Sequence, residues 1–272
     1  MTQIYKKGIF SWFGFVMPLP ERVKLIKKSG FDSTSLWWED ELGSPQIKKE
    51  EMPQIVREAG LYLENIHVPF NNCNELWSES TQVRNESVKQ HMNWLEDCAK
   101  YDIPIMVMHI TDEVGTFKAN KYGIKSLSKL TKEAEEIKVK IAIENTNPTE
   151  AVSFVLSEIP SEYLGFCFDS SHAQLCGGGQ TLVNNFGERL LATHISDNDG
   201  RKDRHWLPGN GLINWKALTE NFPQNYKGYL TLEVCPTEEE RTMGPKEFLQ
   251  KGFEKIAWVS ELLSEESLKH HD

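Results

Sequence analysis

The sequence predicts an α/β protein with a single (β/α)8 TIM-barrel domain over residues 1–272. Eight short apolar runs alternate with longer amphipathic, charge-rich stretches, and this alternation is typical of a parallel sheet whose strands are joined by helices. Eight is also the number of strands that closes such a sheet into a barrel. No Pro/Gly/Ser-rich linker divides the chain, and its 272 residues suit one domain of this kind.

The predicted strands are short and strongly apolar. The fourth, Ile103-Pro-Ile-Met-Val-Met-His109, has the composition of a strand buried on both faces. An open doubly wound sheet is the alternative, but that fold usually carries a glycine-rich phosphate loop after its first strand. The segment Phe10-Ser-Trp-Phe-Gly14 fits such a loop poorly. We predict strands at Lys7–Trp12, Asp32–Trp37, Tyr62–Val68, Ile103–His109, Lys140–Glu144, Leu164–Phe168, Leu190–Ile195 and Tyr229–Val234.

The predicted helices fill the intervals between these strands. The first ends at Ser29-Gly30, where a glycine suits a left-handed cap. The glycine cluster 177–179 is interpreted as a loop, and the polar tail 264–272 is expected to fray. We predict helices at Leu19–Ser29, Pro45–Ala59, Thr81–Tyr101, Ile124–Lys138, Thr149–Ser157, Gly178–Phe186, Trp215–Asn221 and Pro245–Leu263.

The composition argues against several classes of binding partner and site. The formal net charge of −10 works against binding to nucleic acid or to an anionic membrane. The five cysteines include no Cys-x-x-Cys pair, which argues against a zinc ribbon, a thioredoxin-like site and a disulfide framework. With no secretory signal and no apolar run long enough to span a bilayer, we expect a cytoplasmic protein. Its oligomeric state is left open, a homo-oligomer included.

Residues able to bind a metal recur at the ends of four consecutive predicted strands. Glu144, Asp169, His194 and Glu233 occupy these positions, and a spacing of 25 residues separates Glu144 from Asp169 and Asp169 from His194. That spacing is about one compact βα unit, so a closed barrel would aim these side chains at one point above its mouth. Carboxylates buried there without partners would be costly. The set therefore predicts a divalent metal, with manganese, cobalt, zinc, iron and magnesium all compatible.

Other polar and aromatic side chains are expected near the same mouth. His67 and His109 end strands three and four, and His172 follows Asp169 closely. Trp12, Trp37 and Trp206 are candidates for the wall of a sugar-binding pocket, because aromatic faces stack on the C–H face of a sugar. Arg201 lies in a short basic run and could contact a phosphate or carboxylate, or simply be solvated.

The chain resembles the xylose isomerase-like TIM-barrel superfamily, which includes sugar-phosphate isomerases and epimerases, ketohexose 3-epimerases, inosose-handling enzymes and endonuclease IV. The resemblance covers nearly the whole chain and is specific to the superfamily rather than to one reaction. The motifs that carry it are His67-Val-Pro69, Ile143-Glu-Asn145, Phe168-Asp-Ser-Ser-His172, His194-Ile-Ser-Asp197, Asp203-Arg-His205, Leu207-Pro-Gly-Asn-Gly211 and Leu232-Glu-Val234.

Resemblance to the epimerase branch implies one metal bound by Glu144, Asp169, His194 and Glu233. The two glutamates would also be catalytic, one removing a proton from carbon and the other delivering one, while His172 would contact a substrate oxygen. We therefore predict a metal-dependent isomerase or epimerase that acts on a carbohydrate, a sugar phosphate, an inosose or a related polyol.

Resemblance to endonuclease IV implies a different enzyme, a phosphodiesterase that cleaves abasic DNA with up to three metals. Its nine ligands match the four central residues together with a surrounding set, which could instead contact substrate or belong to a lid loop. The surrounding set is His67, His109, His172, Asp203 and His205. A third hypothesis is a barrel that binds a ligand without catalysis, which the intact acidic and metal-binding residues argue against.

Overall fold

The structure, a computed structural model, describes residues 5–111 and 117–269, the side chains of 266–269 excepted. Eight parallel strands form one sheet, and each of the eight predicted strands is present. The strands are β1 (Lys6–Phe10), β2 (Ser33–Trp37), β3 (Tyr62–His67), β4 (Ile105–Met108), β5 (Lys140–Glu144), β6 (Leu164–Asp169), β7 (Leu190–His194) and β8 (Tyr229–Leu232).

The sheet curls into a barrel. Neighbouring strands follow the order β7-β6-β5-β4-β3-β2-β1-β8, and a parallel bridge between Ile195 and Leu232 joins its two ends. At this seam, the amide of Ile195 donates to the carbonyl of Thr231 at 2.8 Å and the amide of Glu233 donates back to Ile195 at 3.2 Å. The predicted (β/α)8 barrel is confirmed.

Helices cover the outside of the barrel, and the main apolar core lies between the two layers. None of the helices in the described part of the chain combines the length and apolar character that a bilayer span requires. The helices are α1 (Leu19–Lys28), α2 (Met52–Glu58), α3 (Thr81–Lys100), α4 (Lys121–Ile137), α5 (Thr149–Glu158), α6 (Ser170–Cys176), α7 (Gly179–Phe186), α8 (Trp215–Glu220), α9 (Glu238–Arg241) and α10 (Pro245–Lys269).

Four helices differ from the sequence-based prediction, among them the short helix α9, for which none was predicted. The second begins at Met52 rather than Pro45, because Glu41 and Ile47 form an antiparallel bridge that holds the preceding segment extended. Helix α6 occupies residues 170–176, for which no helix was predicted, and it begins where Asp169 accepts the backbone N–H of His172. Helix α10 continues to Lys269, so residues 264–269 are helical instead of frayed, while 270–272 lie outside the described residues.

The interior of the barrel has an apolar and a polar side. Val107, Ala142, Cys167 and Ala192 form a small apolar cluster. Across the barrel, the carboxyl of Glu64 on β3 is buried and accepts a hydrogen bond from the Thr231 hydroxyl. Gly8 on β1 leaves room for this contact, since a Cβ there would lie 2.5 Å from the Ser33 and Thr231 hydroxyl oxygens. A glutamate is thus enclosed beneath the strand ends.

Replacing Glu64 with glutamine should weaken the dependence of stability on pH. Burial raises the pKa of Glu64 to about 7 from its ordinary 4.5, so the native state holds this proton more tightly than the unfolded chain does. The free energy of unfolding should then fall as the pH rises from about 4.5 to about 7. The loss attributable to Glu64 is up to about 3 kcal/mol. Urea unfolding at several pH values measures it.

The matched control is Glu158→Gln, which alters an exposed glutamate at the end of α5. This variant should keep the pH dependence of the unmodified protein. Identical pH slopes for Glu64→Gln and the unmodified protein would refute the assignment of a raised pKa to Glu64.

Candidate metal centre

The carboxyl ends of β5 to β8 bring the four predicted central ligands together. Glu144, Asp169 and His194 are the last residues of their strands, and Glu233 directly follows β8. Parallel pairing aligns Asp169 with His194. One potential ligand atom from each of the four lies within 4.8 Å of the others. The barrel therefore assembles the cluster that the strand-end pattern predicted.

The polar atoms of this cluster lie close together, but some of them have no hydrogen-bond partner. Nδ1 of His194 lies 3.1 Å from Oε2 of both Glu144 and Glu233. Even so, this nitrogen and Oδ2 of Asp169 are buried and have no hydrogen-bond partner of acceptable geometry. Buried polar atoms without partners are costly. Three carboxylates and one imidazole with converging free positions fit a divalent cation.

Asp169 is held in position through its other oxygen and its backbone. Oδ1 accepts the backbone N–H of His172 at 2.6 Å, which caps α6. The side chain of Asn145 donates to the carbonyl of Asp169 at 3.0 Å and accepts its N–H at 2.6 Å. Asn145 is therefore a positioning residue. In the sequence, Asn145 is visible only as the residue that follows Glu144 at the end of β5. Its hydrogen bonds to the backbone of Asp169 assign the role.

Three further histidines surround Glu144. Nε2 of His67 and Nε2 of His109 lie 3.1 and 3.3 Å from Oε2 of Glu144, and Nδ1 of His172 lies 3.0 Å from Oε1. His67, Glu144 and His194 also form a second group whose geometry could hold a cation. The centre therefore contains more potential metal ligands than the four central residues.

Asp203 connects two of the remaining predicted residues. One of its carboxylate oxygens, Oδ2, lies 3.2 Å from Nε2 of His172 and 3.0 Å from Nε2 of His205. The other oxygen is buried without a hydrogen-bond partner. Since Nδ1 of His205 also lies 3.2 Å from the carbonyl oxygen of Glu233, all nine predicted residues form one continuous polar cluster.

Aromatic rings orient the imidazoles of this cluster. Trp37 stacks on His67 with ring centres 5.3 Å apart, and Phe70 stacks on His109 at 4.4 Å. Phe10 meets His194 edge-on at 6.5 Å. Such packing restricts ring rotation and excludes water from the cluster. Phe10 and Phe70 were not among the predicted site residues, because an isolated phenylalanine near a strand end carries no distinctive signal.

The charges of the cluster depend on one another. Burial alone would raise the pKa of Glu144, but the nearby His194 and His109 hold it well below its usual value. Burial opposes ionisation of Glu233 as well, yet His194 and His205 lower its pKa to about 2. Asp169 differs, because burial and the neighbouring carboxylates raise its pKa to about 7. Both glutamates are thus ionised at neutral pH.

Metal binding to this centre should strengthen as the pH rises. Burial disfavours a charge on His194, but Cys167 and Glu233 outweigh it and raise its pKa well above the usual value. His194 and Asp169 must both lose a proton before they can act as ligands. Affinity for Mn²⁺ or Zn²⁺ should therefore be at least about tenfold weaker at about pH 5.5 than at about pH 7.5.

Calorimetric titration in two buffers of different ionisation enthalpy measures both the affinity and the protons released. Asp169→Asn serves as the comparison, because it removes one of the two titrating ligands and should reduce proton release. Equal affinities at both pH values, with no proton release, would contradict this account.

A buried aspartate organises the loop that carries Asp203 and His205. Asp197 follows β7 and is fully buried. Its carboxylate accepts the N–H groups of Asn198, Gly209 and Ile213 and the indole N–H of Trp215, all at 2.9–3.1 Å. The loop therefore folds back around one carboxylate. The motif His194-Ile-Ser-Asp197 contains this residue, but the sequence alone predicted no role for it.

A cavity of about 820 Å³ opens beside the centre. Glu233 and His205 lie at its polar end, and the predicted residues Trp12 and Trp37 line it. The other two predicted substrate residues do not. Arg201 is exposed, and Trp206 is held by backbone pairing with Asp197 and lies under the guanidinium of Arg204. Their contact with substrate remains a prediction.

The fold and this cluster define a (β/α)8 barrel with a candidate metal centre at the carboxyl ends of its strands. The chain belongs to the family described as xylose isomerase-like TIM barrel, whose model matches residues 23–254. The resemblance inferred from the motifs is therefore confirmed.

Relatives in sequence include proteins of different activity. The chain is 28% identical over 247 residues to the uncharacterized protein y4fM of Sinorhizobium fredii, covering 77% of this chain and 79% of that one. It is 30% identical over 185 residues to a probable endonuclease 4 of Nitrosopumilus maritimus, covering 57% and 65%. A fructoselysine 3-epimerase of Escherichia coli is 28% identical over 122 residues, covering 40% and 43%.

Solved structures share the fold at low sequence identity. The D-psicose 3-epimerase of Clostridium cellulolyticum H10, determined with D-tagatose, superposes with a TM-score of 0.75 at 15% identity and covers 95% of this chain and 99% of that one. The IOLI protein, determined with a bound zinc atom, has a TM-score of 0.76 at 17% identity and covers 94% and 98%.

Proposed function

We propose that this protein is a divalent-metal-dependent sugar isomerase or epimerase. The observation that carries the proposal is the pairing of Glu144 and Glu233 around His194 in one buried centre. A cation held by these residues and Asp169 would polarise a substrate carbonyl and its neighbouring hydroxyl. Resemblance to fructoselysine 3-epimerase and to the fold of D-psicose 3-epimerase supports the choice of reaction.

The charge state of the two glutamates suits the proton-accepting half of this reaction. Both are ionised at neutral pH, because neighbouring histidines keep the pKa of Glu144 well below its usual value and that of Glu233 at about 2. One carboxylate accepts the proton from the carbon next to the carbonyl, and the other must first take up a proton from solvent before it can deliver one to that carbon. Resemblance to the epimerase branch supports a role for His172 in contacting a substrate oxygen. Its ring nitrogens lie 3.0 Å from Oε1 of Glu144 and 3.2 Å from Oδ2 of Asp203, so a substrate oxygen would have to replace one of these contacts.

Incubation in heavy water tests the proposed reaction. Metal-loaded protein should incorporate deuterium at a carbon next to the carbonyl of at least one ketose, aldose or inosose in a panel. Mass spectrometry and proton NMR would locate the label. Lack of exchange with every member of such a panel, at full metal occupancy, would rule the proposal out.

A metal-dependent phosphodiesterase is the second candidate. Two observations favour it. The first is the similarity to a probable endonuclease 4. The second is that all nine predicted ligands lie in one cluster, in which His67 and His109 contact Glu144 and His205 contacts Asp203. The cavity is a weaker match, since Glu233, Glu39 and Asp40 are among its lining residues and would repel a phosphate backbone.

Metal content and substrate choice separate the two candidates. One bound metal ion per chain with ketose exchange supports the isomerase, whereas three ions with cleavage of an abasic-site duplex support the phosphodiesterase. Glu144→Gln should be inactive in both assays and serves as the control for contaminating nuclease or isomerase.

A further inference from the structure

The cavity beside the metal centre extends well beyond the cluster of ligands. Its polar end is formed by Glu233 and His205, and it continues outward to Trp12 and Leu42 on the loops after β1 and β2. Its volume of about 820 Å³ lies in the upper part of the ~300–1,000 Å³ range of pockets that enclose drug-sized ligands. A free hexose is much smaller than such ligands and would leave the outer part empty.

Apolar side chains form much of the outer part of the cavity. Leu36 and Met52 on its wall are buried. At the rim, the side chains of Val16 and Leu42 are 93% and 90% exposed, and Trp12 is 43% exposed. Single exposed apolar residues are ordinary, but a group around one opening marks a binding surface. An apolar ligand group would cover these side chains and gain by leaving water.

Two of the three carboxylates of the outer part are paired with a cation. Glu39 accepts the indole N–H of Trp37 at 2.6 Å, Asp40 pairs with Lys48 at 2.7 Å, and Glu41 pairs with Arg22. Arg22 is also the single arginine or lysine among the described residues that line the cavity. A phosphate would find no free cation there, and the exposed carboxylate of Glu39, whose partner is a neutral indole, would repel it.

Taking the proposed sugar isomerase reaction as its basis, we propose that the substrate is an unphosphorylated sugar bearing a largely apolar substituent. The sugar binds at the Glu233 end, and an alkyl or aryl group fills the outer cavity between Trp12 and Leu42. Binding of that group to preformed apolar walls adds affinity without altering the residues that exchange protons.

The test compares D-fructose with its 1-O-benzyl and 6-O-benzyl ethers and with fructose 6-phosphate on metal-loaded protein. Calorimetry measures binding, and deuterium incorporation measures reaction. We expect one benzyl ether to bind at least about tenfold more tightly than fructose, and the phosphate to bind no more tightly than fructose. Equal binding of fructose and both ethers, or tightest binding of the phosphate, would overturn the inference.

The double variant Val16→Asn/Leu42→Asn should reduce the preference for the benzyl ether by at least about threefold. Leu212→Asn is the matched control, because Leu212 is also exposed, at 67%, but does not line the cavity; it should keep the preference. An unchanged preference in the double variant would also count against the assignment.

The two readouts separate this inference from the proposed reaction. Preferential binding of a benzyl ether without deuterium exchange in any ketose supports the apolar subsite and refutes the reaction. Exchange in fructose with no preference for either ether supports the reaction and refutes the subsite.

Discussion

Replacing Glu144 with glutamine should lower deuterium exchange by about 10³-fold or more, within the range that a positioned acid or base contributes. Its two oxygens are the meeting point of His67, His109, His172 and His194, at 3.0–3.3 Å. Glutamine keeps the shape but loses the charge and one acceptor oxygen. Metal affinity should fall as well, because a neutral amide is a much weaker ligand than a carboxylate.

Glu64→Gln is the matched control for this loss. Glu64 is also a buried glutamate inside the barrel, but its carboxyl contacts the Thr231 hydroxyl rather than the cluster. This variant should retain exchange within a few-fold of the unmodified protein. Metal content by elemental analysis and exchange rates by NMR would be compared for both. A Glu144→Gln protein with full metal content and more than about a tenth of the normal rate would disprove the central role of Glu144.

Replacing Asp197 with alanine should destabilise the protein by about 4 kcal/mol or more, because each buried donor left unpaired costs about 1–3 kcal/mol. Four donors would lose their acceptor, among them the indole of Trp215 and the backbone N–H groups of Gly209 and Ile213. The loop that carries Asp203 and His205 would lose its anchor. Denaturant unfolding monitored by tryptophan fluorescence measures the change.

Asp199→Ala provides the comparison for this variant. Asp199 lies in the same loop and accepts N–H groups of Arg201, Lys202 and Arg204, but it is accessible to water, which replaces lost hydrogen bonds. Its replacement should cost much less stability. If the two variants unfolded at the same denaturant concentration, the proposed anchoring role of Asp197 would be wrong.

Local sequence patterns predicted the strands well because a barrel strand is encoded by its own residues. The run Ile105–Met108 is apolar on both faces, and Lys140–Glu144 is an apolar run that ends in a carboxylate. Since every strand of a closed parallel barrel ends at the same rim, strand positions alone were enough to bring Glu144, Asp169 and His194 together.

The segment after β2 was predicted less well, because its conformation depends on partners far away in the sequence. A helix was predicted from Pro45 onward, yet Glu41 pairs with Arg22 of α1 and bridges to Ile47. These contacts keep the segment extended, and residues 41–45 within it line the outer cavity. Helical propensity is a weak preference that tertiary contacts override.

The sequence by itself determined the eight-stranded barrel, the four residues at the ends of β5 to β8 and the surrounding histidines, since each follows from local pattern and strand order. Only the tertiary structure decided how these side chains contact one another, which oxygen of Asp169 remains without a partner, and how Asp197 anchors its loop. It also decided the extent and charge of the cavity. Those properties arise from contacts between residues distant in the chain, which no local pattern encodes.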